Sequence, residues 1–292
     1  MAVRRIGRRE FDFDRQVAVM AVINRTPDSF YDKGSTFALD AAVASALQAA
    51  SDGADWVDIG GVPFGRGPAV SVAEEIDRVI PVVEAIAAAS DVVISVDTFS
   101  AEVARAAIAA GAAVINDTTG LRDDAMAGVV AASDATLVIT HSVGPPRTEK
   151  PAARYDDVVT EVIAFLQERV SRAEAAGVPR DRLIVDPGHD LDKNTLHSLE
   201  LTRRFDELEL LDLPLLAAVS NKDFIGESID ASQGERLEGS LAAMVACILK
   251  GARIVRMHDV PPTVAAVRMT EAILGFRDPV RLDHNTHPTE NV

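Results

Sequence analysis

The sequence predicts an α/β protein, a (β/α)8 TIM barrel in a single domain, on three observations. First, the chain has 292 residues, a length that one barrel fills. Second, eight short apolar runs alternate with alanine-rich amphipathic stretches. The runs cover 17–23, 56–59, 92–96, 113–115, 136–139, 183–185, 215–219 and 253–257. Each is rich in Val, Ile or Leu without period-two alternation, the pattern of parallel strands buried on both faces. Third, the phrases DGADWVDI, AGAAVIND and KGARIVRMHD recur at the starts of runs, as one repeated βα unit would require. Helices are expected over 38–52, 72–89, 101–110, 154–176 and 237–249, with Gly53, Gly111, Gly177 and Gly251 ending several of them. No G-x-G-x-x-G follows the first run and no G-x-x-x-x-G-K-[ST] occurs, so dinucleotide-binding and P-loop sheets lose their usual signals.

The barrel is expected over 17–275, preceded by an N-terminal arm, 1–16, and followed by a polar tail, 276–292. The arm opens MAVRRIGRRE, four arginines with no apolar stretch behind them, and reads as a frayed, solvated end rather than a secretory signal. A formal charge of −16 gives no positive field for a nucleic-acid backbone. No stretch approaches the roughly 20 apolar residues that span a bilayer. One cysteine, Cys247, permits no disulfide within the chain, which fits a cytoplasmic protein.

Polar residues gather just past the strands. Asn24 follows the first, Asp58 lies at the end of the second, and Asp97 and Thr98 follow the third. Asn116 and Asp117, His141 and Asp186 follow the next three; Ser220 and Lys222, then His258 and Asp259, follow the last two. In a barrel these positions converge on the C-terminal mouth, where barrel enzymes carry their sites. Each alone has a local explanation, because Asp and Asn cap helices and hold turns. Asp97, Asn116, Asp186 and Lys222 together suit a planar heterocycle with a 2-amino-pyrimidinone edge, whose adjacent donors a carboxylate accepts in pairs. Arg256 and His258 lie on one side of the last strand, suited to an anion beside Asn24, or else Arg256 only neutralises a carboxylate of the mouth.

At these residues the chain resembles a known family. AVINRTPDSFYDKG, VDIGG, SVDT, IND, DPG, SNKDFIG and RMHDV, in order from about 17 to 274, are similar to the motifs of dihydropteroate synthase, the pterin-binding barrel. Methyltetrahydrofolate-binding methyltransferase domains share the likeness more loosely. The resemblance implies condensation of a hydroxymethyl-dihydropterin diphosphate with p-aminobenzoate, releasing pyrophosphate. It implies that Asp97, Asn116, Asp186 and Lys222 hold the pterin, with Lys222 the residue on which turnover depends. Asn24, Arg256 and His258 would grip the diphosphate, Asn24 with its Mg²⁺, and Ser220 would lie near the aminobenzoate carboxylate. Mg²⁺ is expected only with a diphosphate, because no cluster of ligands reads as a metal cage. A homodimer through the barrel helices is also implied.

The chain departs from the family in its loops. Where the family carries D-I-G-G-E-S-T-R-P-G, this chain has Asp58, Ile59, Gly60, Gly61, Val62, Pro63, Phe64, Gly65, Arg66 and Gly67, without the Thr-Arg pair. In D-P-G-x-G-F-G-K-T, two glycines are Asp190 and Asp192, and the phenylalanine is Leu191. The S-R-K triplet is Ser220, Asn221 and Lys222. Losing one charged hydrogen bond to an anion costs about 1.5–3 kcal/mol, so several losses would lower turnover by orders of magnitude. The aspartates are expected to set negative charge against an anionic substrate. The resulting expectation is a homologue with little or no synthase activity and weak binding at the pterin site. The alternatives are a working synthase in which Arg25, Lys33 or Arg66 replaces the lost cations, a non-catalytic regulatory or interaction protein, and another pterin- or folate-dependent transferase.

Overall fold

The computed structural model describes residues 3–24, 35–63, 67–148 and 154–285. Two short strands, β1 (Arg4–Ile6) and β2 (Arg9–Phe11), form an antiparallel hairpin. Eight parallel strands then close on themselves: β3 (Ala18–Asn24), β4 (Trp56–Gly60), β5 (Val93–Asp97), β6 (Val114–Asp117), β7 (Thr136–Thr140), β8 (Leu183–Asp186), β9 (Leu215–Ala217) and β10 (Ala252–Met257). Neighbours in the ring are neighbours in sequence, and β10 returns to pair with β3, Ile254 opposite Ala18. This is the expected (β/α)8 barrel. The helices that cover it are α1 (Ser35–Ser51), α2 (Val72–Ala89), α3 (Ala101–Ala110), α4 (Met126–Ala131), α5 (Val158–Ala175), α6 (Thr195–Arg203), α7 (Asp223–Ile229), α8 (Leu237–Leu249) and α9 (Val260–Ile273).

The missing alternation in the strands has a direct cause. Val57, Ile59, Ile94, Val96, Ile115, Leu137 and Ile139 point outward under the helices, in one buried cluster. The residues between them, Trp56, Val93, Val114 and Val138, fill the barrel interior in a second. Both faces are apolar because both are covered. Local signals set the helix limits: Ser71 and Ser100 cap α2 and α3 by accepting from the backbone N–H groups of Glu74 and Val103. Pro261 and Pro262 sit in the first turn of α9, where no helical donor is needed.

The expectation of a frayed arm is overturned. Ile6, Phe11 and Phe13 are buried and close the N-terminal end of the barrel. Phe11 meets Trp56 edge to face at 5.6 Å and stacks on Phe13 at 5.8 Å. The arginines that suggested a solvated end fasten it instead. Arg4 donates to the carbonyls of Asp181 and Leu183 (2.9 and 2.7 Å), and Arg9 pairs with Asp55 at 2.7 Å. Guanidinium groups satisfy the carbonyls left open where strands begin, while the apolar residues between them enter the barrel. At the other end of the chain, 278–285 is exposed and without helix or strand.

Candidate functional site

Strand register assembles the polar mouth. Asp58 lies opposite Ser95, and Gly60, Asp97 and Asn116 form one row across β4, β5 and β6. Asp58, fully buried, is the centre of the network. Its carboxylate accepts from Ser95 Oγ (2.6 Å), Asn116 Nδ2 (3.1 Å) and Arg256 Nε (2.6 Å). A second guanidinium nitrogen of Arg256 donates to Asp97 at 3.1 Å, and Thr118 Oγ1 donates to the same carboxylate at 3.4 Å. Arg256 therefore does pair with carboxylates of the mouth. Burial works against its charge, but Asp58 and Asp97 outweigh it and hold the pKa above the ordinary value.

With its amide nitrogen engaged by Asp58, the buried Asn116 is left with Oδ1 without a partner. A buried polar atom left unpaired is costly, and it marks the edge a ligand would satisfy. Asp186 accepts the Gly188 N–H at 2.7 Å, and burial raises its pKa to about 6 against the pull of that bond and of Lys222. Burial lifts Asp97 to about 7, with Asp58 and Glu75 adding to the rise and Arg256 opposing it. Lys222 is half-buried at the start of α7, and burial lowers its pKa. The charges of Asp190, Asp186 and Asp97 act on it in the opposite sense. Asp97, Asn116, Asp186, Lys222 and Arg256 thus belong to one set of interacting groups. Ser220 and His258 form a separate pair: Ser220 Oγ accepts the His258 N–H at 3.1 Å and lies 2.9 Å from Nδ1 of the same residue. Asn24 ends β3 opposite Gly60. Its side chain, and Arg25, Lys33 and Arg66, lie outside the described residues.

Asp58 was among the polar strand ends but had been given no role, and Ser95 and Lys193 were not singled out. The first two had a signal, a polar residue two places before the end of an apolar strand. Lys193 had one only in the resemblance, as the lysine of D-P-G-x-G-F-G-K-T. Its buried ammonium donates to His141 Nδ1 (2.7 Å) and to the carbonyls of Gly188 (3.0 Å) and Leu191 (2.9 Å). Burial, and then the Lys193 charge, lower His141 to about 3, so its ring is a neutral acceptor in a clamp between two loops. Gly188 is required there, with φ +68° and the His141 carbonyl 2.3 Å from where a Cβ would stand.

The two loop aspartates have a structural part that the sequence did not show. Asp190 and Asp192 occupy left-handed backbone, φ 63° and 54°, where glycine would be at ease. Their carboxylates are satisfied. Asp192 accepts from Ser142 Oγ (2.9 Å) and the N–H groups of Val143 (2.9 Å) and Gly144 (3.1 Å). Asp190 accepts from Ser198 Oγ (3.0 Å) and from the N–H groups of Asp223 (2.6 Å) and Phe224 (3.3 Å) at the start of α7. They act as fasteners between loops, and both also line the cleft at this end of the barrel, so their negative charge stays at the mouth.

A cleft of about 440 Å³ opens over this end of the barrel, lined by Val62, Phe99, Thr118, Arg147 and Leu191 among others. A larger hollow of about 1130 Å³ lies at the opposite end beside the hairpin. Two of its arginines, Arg4 and Arg182, are committed to barrel carbonyls, and the unpaired Asn116 oxygen is at the other end. Among the described residues, no group of three or more His, Cys, Asp or Glu side chains is arranged to hold a metal ion.

Comparison with known proteins follows the same lines. Residues 20–258 match the model of a family described as pterin binding enzyme. An inactive dihydropteroate synthase 2 of Mycobacterium leprae is 47% identical over 274 residues, covering 92% of this chain and 94% of that protein. The dihydropteroate synthase of Escherichia coli is 41% identical over 266 residues, covering 91% and 94%. Among solved structures, the Xanthomonas albilineans dihydropteroate synthase in complex with 7,8-dihydropteroate superposes with a TM-score of 0.84 at 40% identity, covering 94% of this chain and 99% of that one.

Proposed function

Because the chain belongs to the pterin-binding enzyme family, we propose that it is a dihydropteroate synthase homologue that keeps a ring-binding barrel floor and catalyses little or none of the condensation. The observation that carries this reading is the contrast between floor and loops. On the floor, Asp58 orients Asn116 and Arg256, and the Asn116 oxygen is left free for a ligand. Around it, Asn221 stands in place of an arginine, and the loop after β8 is tied down by Asp190 and Asp192. Inactive relatives in Mycobacterium leprae and Mycobacterium tuberculosis, at 47% and 46% identity, support it further.

In this reading Asp186 accepts from the adjacent amino and ring N–H donors of a pterin, and Lys222 donates to its ring carbonyl. Asp97 and Asn116 complete the edge. Arg256, His258 and Asn24 would meet a diphosphate, which would bring its own Mg²⁺, since the described residues form no metal cage. Ser220 would face the aminobenzoate carboxylate. The described groups offer firm ground-state contacts to a ring but few mobile cations for a departing diphosphate, whose developing charge is what a catalyst must stabilise.

Two measurements test the proposal. Calorimetry with 6-hydroxymethylpterin should show binding that Asp186→Asn weakens about ten- to a hundredfold, the loss of one charged hydrogen-bond set. A steady-state assay with the dihydropterin diphosphate, p-aminobenzoate and Mg²⁺ should give turnover orders of magnitude below about 1 per second, and Lys222→Ala should remove what remains. Turnover at or above that rate would overturn the reading.

The proposal extends to a cytoplasmic homodimer without nucleic-acid or membrane partners. Exposed Leu249, Met269 and Ile273 on α8 and α9 support pairing of copies, which sedimentation would check. Among the described residues no helix is long and apolar enough to cross a membrane.

A further inference from the structure

We propose that Thr140 is a specificity-determining residue of the ring site: its hydroxyl accepts a hydrogen bond from an exocyclic amino group and sets the floor against rings that carry an oxo group in that place. The inference deepens the function proposed above and rests on it. Thr140 ends β7, the strand between β6, which carries Asn116, and β8, which carries Asp186. Val138 lies opposite Asn116, and Thr140 lies opposite Asp186. Val138 belongs to the interior cluster while Leu137 and Ile139 lie under the helices, so Thr140, two places past Val138, faces the interior as well. A ring held by Asn116 and Asp186 at once must pass over the strand that carries Thr140.

Thr140 is 1% exposed, and its Oγ1 is buried without a hydrogen-bond partner among the described residues. Most buried hydroxyls bond a backbone carbonyl or a neighbouring side chain, because leaving one unpaired costs stability. The strand end around it is fixed. The His141 N–H donates to the Asp186 carbonyl at 2.9 Å, and the His141 ring is held by Lys193. The threonine methyl is turned toward Gly188, with Cγ2 3.2 Å from where a Cβ on that glycine would stand. A β-branched side chain packed in this way has little freedom at χ1, so the hydroxyl is presented in one direction. Asn116 Oδ1, on the adjacent strand, is a second buried atom left unpaired.

The chemistry of the flanking groups selects the partner. Asn116 Oδ1 and an ionised Asp186 can only accept. A ligand oxygen set between them would face acceptors on both sides, whereas an amino group brings two hydrogens. Asp186 takes one of these in the reading above, and the second needs another acceptor. Thr140 Oγ1, on the intervening strand, supplies it, while Lys222 remains for the ring carbonyl. A polar atom kept unpaired in the free protein, at a cost in stability, is a contact held for the ligand.

The test is calorimetry on the whole chain with 6-hydroxymethylpterin and with 6-hydroxymethyllumazine, in which an oxo group replaces the amino group. The wild type should prefer the pterin. Thr140→Val, which keeps the shape and removes the hydroxyl, should bind the pterin about three- to tenfold more weakly, the range for one neutral hydrogen bond. Its affinity for the lumazine should not fall, and Thr140→Ser should retain most of the wild-type preference. The melting midpoint of Thr140→Val should equal or exceed that of the wild type, because an unpaired buried atom has been removed. A merely structural role would instead lower the midpoint and weaken both ligands together. Unchanged or tighter pterin binding by Thr140→Val, an equal loss for both ligands, or no recovery in Thr140→Ser would overturn the inference. Wild-type pterin binding that Asp186→Asn weakens but Thr140→Val does not would remove this inference alone. Absence of pterin binding by the wild type would overturn the function proposed for the barrel, and this inference with it.

Discussion

Asp58 accepts three hydrogen bonds from three strands, and each donor has a different dependence on it. Ser95 loses a partner when the carboxylate goes, Asn116 loses the bond that aims its oxygen, and Arg256 keeps only Asp97 as counter-charge. Asp58→Ala should therefore cost about 3–5 kcal/mol in urea unfolding, the range for removing one member of a buried ion pair. Asp58→Asn, which preserves the shape, should cost less, and an equal loss in both would show that packing matters more than charge. The neighbouring carboxylates set a pH dependence. Asp97 and Asp186 titrate near 7 and 6, both raised chiefly by burial, so falling pH protonates them in the free protein. A pterin that donates to carboxylates needs them ionised, so its affinity should fall by at least about tenfold from pH 7 to pH 5. Calorimetry across that range checks the sign, and tighter binding at pH 5 would exclude these groups as acceptors.

At the scale of elements, loops are held to one another by single side chains. Asp192→Ala removes the acceptor of three donors in the loop after β7, and should cost about 1.5–3 kcal/mol and speed proteolysis between 141 and 155. Limited proteolysis with mapped cuts would show it, and unchanged cleavage would mean that the Lys193 clamp suffices. The hairpin is a second such element. Phe11→Ala empties a fully buried aromatic site against Trp56 and should cost about 3–5 kcal/mol, read from denaturant melts. Strands, most helices and the ring of polar strand ends were legible in the sequence because βα repetition and glycine stops are local signals. The network around Asp58 was not, since it depends on register between strands, with Arg256 198 positions away. The arm misled for a physical reason: arginines that donate to backbone carbonyls look, in sequence, like arginines in water. The loop-fastening part of Asp190 and Asp192 was not legible either, because formal charge shows the number of carboxylates and not what they accept.

For the molecule as a whole, the contacts that close the barrel join its first and last parts. Met20 lies opposite Arg256 where β3 meets β10, the Val17 N–H donates to Glu271 at 2.8 Å, and Arg253 donates to the Phe13 carbonyl at 2.9 Å. Such long-range contacts must follow the closure of long loops, which slows folding. Their consequence falls on synthesis. The hairpin is made before the barrel it closes, yet the interior cluster that buries Phe11 and Phe13 is completed only by Ile254 of β10, and Arg253 and Glu271 fasten the segment after the hairpin only after more than 250 residues, so the two rings lack their full cover through most of translation. A nascent chain halted at 250 should accordingly give no cooperative melt and should bind holdase chaperones through its first 16 residues, whereas one carried past 275 should release them. Pulse proteolysis of stalled chains would locate that step, and protection gained well before 250 would mean the barrel can close without its last strand.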